Sequence, residues 1–176
     1  MTLDELDRDS FEKAVDAIVS AKKIYIIGVR SSAAIATFLH FYFNLIFENV
    51  CLVSANTASE VFESLLRVGE GDVVIGVSFP RYSSRTVQAM NFARDRKAIT
   101  VAITDSEASP LAPISQYTLK ARSDMASFVD SLVAPLSLVN ALLVAVSQRK
   151  NDDLAHTFRT LEGIWDEYGV YEKVEQ

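Results

Sequence analysis

Short runs of consecutive apolar residues alternate along the chain with longer stretches whose apolar positions recur at helical spacing. Lys23–Gly28 (KIYIIG) is apolar without alternation, as expected of a strand buried on both faces of a parallel sheet. Val50–Ser54, Asp72–Ser78 (DVVIGVS), Ala98–Thr104 and Gln116–Ala121 read as further strands. Helices are predicted between them at Ser32–Phe47, Thr57–Val68, about Ser83–Lys97 and Ser127–Gln148. Gly69–Gly71 breaks the chain before the third strand, and Ser109-Pro110 and Pro113 punctuate the loop Asp105–Pro113. Two helical segments flank this unit: Ser10–Ala21, with Phe11, Val15, Ile18 and Val19 on one side, and Asp152–Tyr168, with Leu154, Phe158, Leu161 and Trp165. The alternation predicts an α/β fold with a five-stranded parallel sheet between helical layers.

Two helices are more apolar than a surface element needs to be. Ser32–Phe47 carries Ile35, Phe38, Leu39, Phe41, Phe43, Leu45, Ile46 and Phe47 on nearly every side. Ser131–Gln148 runs without a charged residue, close to the minimum length of a membrane span. Pro135, Asn140, Ser131, Ser137 and Ser147, and the lack of a basic N-terminal flank, favour a buried helix or a subunit interface over a membrane helix. Together the two helices expose too much apolar surface for a lone domain of this size, which predicts a homodimer or higher homo-oligomer with the ligand site near its interface.

At 176 residues the chain is expected to form a single domain. Its parts are a helical N-terminal segment (1–21), an α/β core (22–150) and a helical C-terminal extension (151–176). A single cysteine, Cys51, excludes a disulfide framework and fits a reducing cytoplasm. His40 and His156 stand far apart in sequence, so no metal site and no cofactor are expected. The polar, acidic Met1–Ser20 lacks the pattern of a signal peptide. Net charge is −6, which argues against non-specific nucleic-acid binding. The charge is unevenly spread, however. Residues 1–21 hold two basic and six acidic residues, residues 151–176 hold two and seven, and the core between them holds thirteen and ten. The sheet-bearing part is therefore slightly basic.

Ligands of such sheets bind beyond the carboxyl ends of the strands, which selects the loops 28–32, 54–59, 78–86, 104–109 and 122–127. Hydroxyls crowd four of them: Ser31 and Ser32 after the first strand, Ser78, Ser83, Ser84 and Thr86 after the third, Thr104, Ser106 and Ser109 after the fourth, Ser123 and Ser127 after the fifth. In any one loop they could serve only as helix N-caps. Their convergence on one edge, with Arg30 and Arg81 among them, points to a phosphate-bearing ligand held at helix N-termini. Arg85, within the helix start, is expected to be solvated. A dinucleotide or P-loop nucleotide is disfavoured, because the first turn has only Gly28 of a Gly-x-Gly-x-x-Gly fingerprint and no Walker A sequence occurs.

KIYIIGVRSS, GDVVIGVSFPRYSSRTVQAM and AITDSEASPLA resemble the sugar isomerase (SIS) domain, and more narrowly the effector domain of RpiR-type transcriptional regulators. The resemblance spans about residues 10–170. It implies a flavodoxin-like fold that binds phosphosugars through serines and threonines. Against the family's Ser-x-Ser-Gly-x-Thr, Ser78 matches the first serine, Ser83 the second and Thr86 the threonine, with Ser84 at the glycine. The spacer Phe79–Tyr82 is three residues longer than usual. In the Gly-x-Gly-x-Ser of the first turn, Arg30 replaces the second glycine and Ser32 matches the serine. The implied phosphosugar ligands are therefore Arg30, Ser31, Ser32, Ser78, Arg81, Ser83, Ser84 and Thr86. DNA would be reached only through a helix-turn-helix domain absent from this chain, which would make it an excised effector domain or a stand-alone SIS protein.

Aldose–ketose isomerisation needs a base poised near neutrality. Glu60 is the best candidate, since Ala58-Ser59-Glu60 resembles an Ala-Ser-Glu of an SIS-type isomerase, although an acid in a first helical turn is also favoured by the helix dipole alone. His40 reads as a packed or interface residue. By the same resemblance His156 could reach a neighbouring subunit's site. No acid–base pair emerges, and the resemblance to RpiR-type regulators implies a sugar-phosphate sensor over a phosphosugar isomerase.

Overall fold

The computed structural model describes residues 7–123 and 131–171. In chain order its elements are α1 (Arg8–Val19), β1 (Ile24–Gly28), α2 (Ser31–Ile46), β2 (Val50–Leu52), α3 (Ala58–Ser64), β3 (Val73–Val77), α4 (Ser84–Asp95), β4 (Ile99–Thr104), a 3₁₀ turn at Ala112–Ile114, β5 (Tyr117–Lys120), α5 (Val133–Arg149) and α6 (Asn151–Glu167). All strand pairs are parallel, in the order β2-β1-β3-β4-β5. This is the doubly wound flavodoxin-like arrangement, with its switch point between β1 and β3.

The continuous apolar runs are explained by burial on both faces. Ile24, Ile26, Val73, Ile75, Val77, Val101 and Ile103 point into one core with α1, α2 and α5. Tyr25, Ile27, Val74 and Ala102 point into the other with α3 and α4. Gly76 lies in β3 because a Cβ there would stand 2.7 Å from Met90 Sδ, so α4 can pack tightly on the sheet. α5, uncharged until Arg149 in its last turn, buries Leu138, Val139, Leu142 and Val146 in the first core. Among the described residues no helix is long and apolar enough to cross a membrane.

Most element ends shift by a few residues from the sequence expectation, those of α1, α3 and β2 among them. α1 starts at Arg8, earlier than the apolar pattern suggests, because the Asp7 carboxylate accepts the Asp9 N–H at 3.1 Å and the Ser10 N–H at 3.4 Å. α3 ends at Ser64, well before Val68, where the chain turns and Asp72 Oδ2 accepts the Gly69 N–H at 3.0 Å. β2 ends at Leu52, short of Ser54. The expected start of the last core helix at Ser127 lies outside the described residues. The acidic N-terminal helix meets a cation: Arg149 at the end of α5 pairs with Asp16 at 2.9 Å and with Glu12.

The β1–α2 turn depends on glycine. A Cβ at Gly28 would fall 2.4 Å from the Ser32 carbonyl oxygen and 2.9 Å from Ala36 Cβ, so only glycine lets α2 rise this close to its strand. Gly28→Ala is expected to cost about 1–3 kcal/mol, the range of overpacking, read as a lower urea midpoint at unchanged slope. Gly69→Ala, whose added Cβ meets nothing within 4 Å, should stay within about 0.5 kcal/mol. Equal costs for the two would contradict this packing.

Candidate functional site

Beyond the carboxyl ends of β1 and β3, where the winding reverses, the two turns part around a cavity of about 350 Å³. Its walls come from residues 29–32 and 78–85. Of the eight ligand residues expected from sequence, Arg30, Ser31, Ser32, Ser78, Arg81, Ser83 and Ser84 line it. Thr86 does not; it lies fully buried in the first turn of α4.

Each wall is built by local chemistry. Ser78 is nearly buried, and its Oγ accepts the Ser83 N–H at 3.1 Å, which folds the loop back onto the strand end. Ser83 occupies the N-cap position of α4 but makes no side-chain cap, so its hydroxyl is not spent on the helix. α2 likewise begins at Arg30 with no side-chain cap. The cavity is thus flanked by two helix N-termini, where backbone N–H groups and the helix dipole favour an anion.

Both arginines expected at the site sit on strained backbone. Arg30 has φ 58° and ψ −124°, and Arg81 has φ 68°. Such conformations cost an L-residue about 1–3 kcal/mol unless it is glycine, and they cluster where function requires them. Beside Arg81, the Tyr82 hydroxyl donates to Asp105 Oδ1 at 2.8 Å and pins the long β3–α4 loop to the end of β4. Burial first, and then the bond to Asp105, push the Tyr82 phenol above its ordinary value, so it remains a donor at neutral pH.

Not all the hydroxyls gathered at this edge face the cavity. Thr104 Oγ1 donates to the Ser78 carbonyl at 2.7 Å and lies 2.8 Å from Ser109 Oγ, which in turn accepts the Leu111 N–H at 3.3 Å. These two side chains are buried and brace the strand ends. Of the loop 122–127 only Arg122 and Ser123 are described, and Ser127 lies outside the described residues. Arg85 departs from its expectation as a solvated residue. It is half-buried and lines the cavity, and its Nη1 donates to the Ala55 carbonyl at 2.7 Å, across the crevice. The sequence signal that marks Arg85 is its place in the first turn of a helix opening on a ligand edge.

Glu60 stands in the first turn of α3, where Thr57 Oγ1 at the N-cap accepts its N–H at 3.3 Å. Its carboxylate accepts from the Ser54 hydroxyl. That bond, followed by contributions from Asn56 and Thr57, holds the carboxyl below the ordinary carboxylate range. Glu60 does not line the cavity. His40 is half-buried in the middle of α2. His156 lines a different cavity of about 750 Å³ at the amino edge of the sheet, with Lys22 and Lys150.

A doubly wound sheet whose switch-point crevice presents arginines, serines and two helix N-termini is an α/β domain of the flavodoxin-like class with a crevice suited to an anion. Residues 17–145 match the family model described as the SIS domain, and the chain belongs to that family. It is 30% identical over 152 residues to the HTH-type transcriptional regulator HexR of Escherichia coli strain K12, an alignment covering 82% of this chain and 50% of that protein. The structure of the sugar isomerase domain of an RpiR transcription factor from Sphaerobacter thermophilus superposes with a TM-score of 0.85 at 31% identity, covering 92% of this chain and 89% of that one. The Vibrio vulnificus NanR protein complexed with ManNAc-6P shares the fold, with a TM-score of 0.81 at 20% identity over 95% of this chain and 64% of that one. The chain spans about half the length of the curated relatives it matches.

Thr86 makes the site testable without a ligand. Its Oγ1 is buried with no hydrogen-bond partner among the described residues. A buried unpaired hydroxyl costs about 1–3 kcal/mol. Thr86→Val, which keeps the shape and removes the hydroxyl, should therefore leave the apo domain as stable or more stable in a thermal melt. A clear loss of stability would show that the hydroxyl is satisfied. Glu60 gives a pH signature. Its folded value is depressed, so its contribution is present above the ordinary carboxylate range and disappears as pH falls through the folded value. Glu60→Gln should lower the unfolding midpoint at pH 7 and converge with wild type in acid, whereas a gap independent of pH would contradict the assigned bonds.

Proposed function

We propose that this chain is the ligand-sensing and dimerisation domain of an RpiR-type transcriptional regulator of carbohydrate metabolism, and that its ligand is a phosphorylated sugar. The observation that carries this reading is the switch-point cavity, where Ser31, Ser32, Ser83 and Ser84 surround the uncapped starts of α2 and α4 with Arg30 and Arg81 beside them. A phosphate ester matches it in charge and in its need for donors. In this reading the hydroxyl of Thr86 gains its partner when the ester binds. DNA contacts belong to a helix-turn-helix domain that these residues do not include, and the protein works in the cytoplasm.

Sensing is favoured over isomerisation by the state of Glu60. A base for proton transfer between adjacent carbons is raised toward neutrality, and Glu60 is instead depressed and engaged by the Ser54 hydroxyl. We assign it to holding the β2–α3 turn. If the domain turns over its sugar after all, an isomer peak in NMR that vanishes in Glu60→Gln would reinstate it as the base.

Dimerisation is supported by apolar surface that this chain leaves uncovered. On α2, Phe41 is 59% exposed beside Tyr42, with ring centroids 5.1 Å apart, and Val144 on α5 is 57% exposed. Exposed aromatic and aliphatic side chains of this size on helices mark an interface. Sedimentation should show a dimer at micromolar concentration, and monomer alone would overturn the claim.

The ligand claim is tested by thermal shift against hexose, hexosamine and pentose phosphates. A matching ligand at about a hundredfold excess over Kd should raise the unfolding temperature by roughly 5–10 °C. The shift should disappear in the Ser83→Ala, Thr86→Ala double variant. An unchanged shift in that variant would place the ligand elsewhere.

A further inference from the structure

We propose that the ligand carries a second anionic group besides its phosphate ester, and that Arg30 and Arg85 bind that second anion. The inference rests on the phosphosugar reading above and extends it to the rest of the ligand. The switch-point cavity adjoins another of about 610 Å³, which runs toward β2 and is lined by Thr37, Ser54 and Asn56. Arg30 and Arg85 line both compartments, while Arg81 lines only the first. Two arginines therefore form a wall common to both compartments. Among the described residues no acidic side chain lines either one. Glu60 bonds to Ser54 in the second wall but does not itself line it.

The two arginines are placed differently: Arg85 is half-buried, and Arg30 is exposed at the turn. Arg85 is anchored across the crevice by its Nη1 bond to the Ala55 carbonyl at 2.7 Å, and a guanidinium has more donors than this bond uses. The backbone of Arg30 stands at φ 58°, ψ −124°, a conformation that glycine adopts freely. Glycine is also what the family pattern has at this turn. Glycine would make the same turn without strain, so what arginine adds is its cationic fork. A planar fork matches carboxylate and phosphate oxygens in two-point contact. With the ester at the starts of α2 and α4, the second compartment receives the remainder of the ligand, its hydroxyls facing Thr37, Ser54 and Asn56 and its anion on Arg30 and Arg85. A sugar acid phosphate and a sugar bisphosphate share this chemistry.

The test is calorimetric titration of the full chain and of Arg30→Gly with glucose-6-phosphate, 6-phosphogluconate and fructose-1,6-bisphosphate at one ionic strength, since charge contacts are salt-dependent. Wild type should bind at least one doubly anionic probe about tenfold or more tightly than glucose-6-phosphate. Preference for phosphogluconate identifies a carboxylate, and preference for the bisphosphate identifies a second phosphate. Arg30→Gly should reduce the preference to below about threefold without lowering the unfolding temperature, because glycine relieves the backbone. Arg85→Gln should reduce it from the opposite wall. Equal binding of all three probes by wild type, or a preference that survives Arg30→Gly, would overturn this inference and leave the phosphosugar reading standing. No saturable binding of any probe would overturn both.

Discussion

Burial of the sheet on both faces is the constraint from which the rest of this structure follows. Once α1, α2 and α5 cover one face and α3 and α4 the other, β1 and β3 have no face left for polar chemistry. Function is pushed to the strand ends. Winding then reverses between β1 and β3, and the turns that leave these neighbouring strands diverge to opposite sides of the sheet. The crevice between them is where two helices start, and helix starts carry the donors that attract an anion. Gly28 makes this possible at close range, because α2 could not rise beside β1 with a larger residue there.

The fold was legible in the sequence for the same reason. A strand covered on both faces shows as an unbroken apolar run, and KIYIIG and DVVIGVS have few other readings. Serines and arginines at the ends of those runs then mark the loops that can hold a ligand. The sequence does not show which way a side chain in those loops turns. Thr104 and Ser109 share the composition of the site yet bond to the scaffold. Arg85 looks like a solvated helix residue until the β2–α3 loop arrives from thirty residues away in sequence to meet it. Thr86 is buried, because the register of α4 turns it inward. These are tertiary outcomes, and spacing alone does not encode them. The strain at Arg30 is a middle case. The departure from the family glycine is visible in the sequence, but its cost appears only with the backbone angle.

Charge takes on a different meaning once it is placed on the fold. Net −6 belongs to the helical ends, where α1 meets Arg149 through Asp16 and Glu12. The crevice is lined by Arg30, Arg81 and Arg85, and by no acidic side chain among the described residues. An acidic protein can therefore present a cationic pocket, because field and contacts at the site are local. Glu60 shows the same locality in reverse. It is a carboxylate near the site whose hydrogen bonds keep it ionised and tied to its own helix start.

That an anion is held at the β1/β3 switch point is tested most directly by titrating isotope-labelled protein with a sugar phosphate that stabilises it and following the backbone amides. Binding at the starts of α2 and α4 should shift the amides of Ser31, Ser32, Ser84 and Arg85 most strongly, leaving the amino edge of the sheet unmoved. Dominant shifts around Lys22, Lys150 and His156, in the cavity at that opposite edge, would contradict the account.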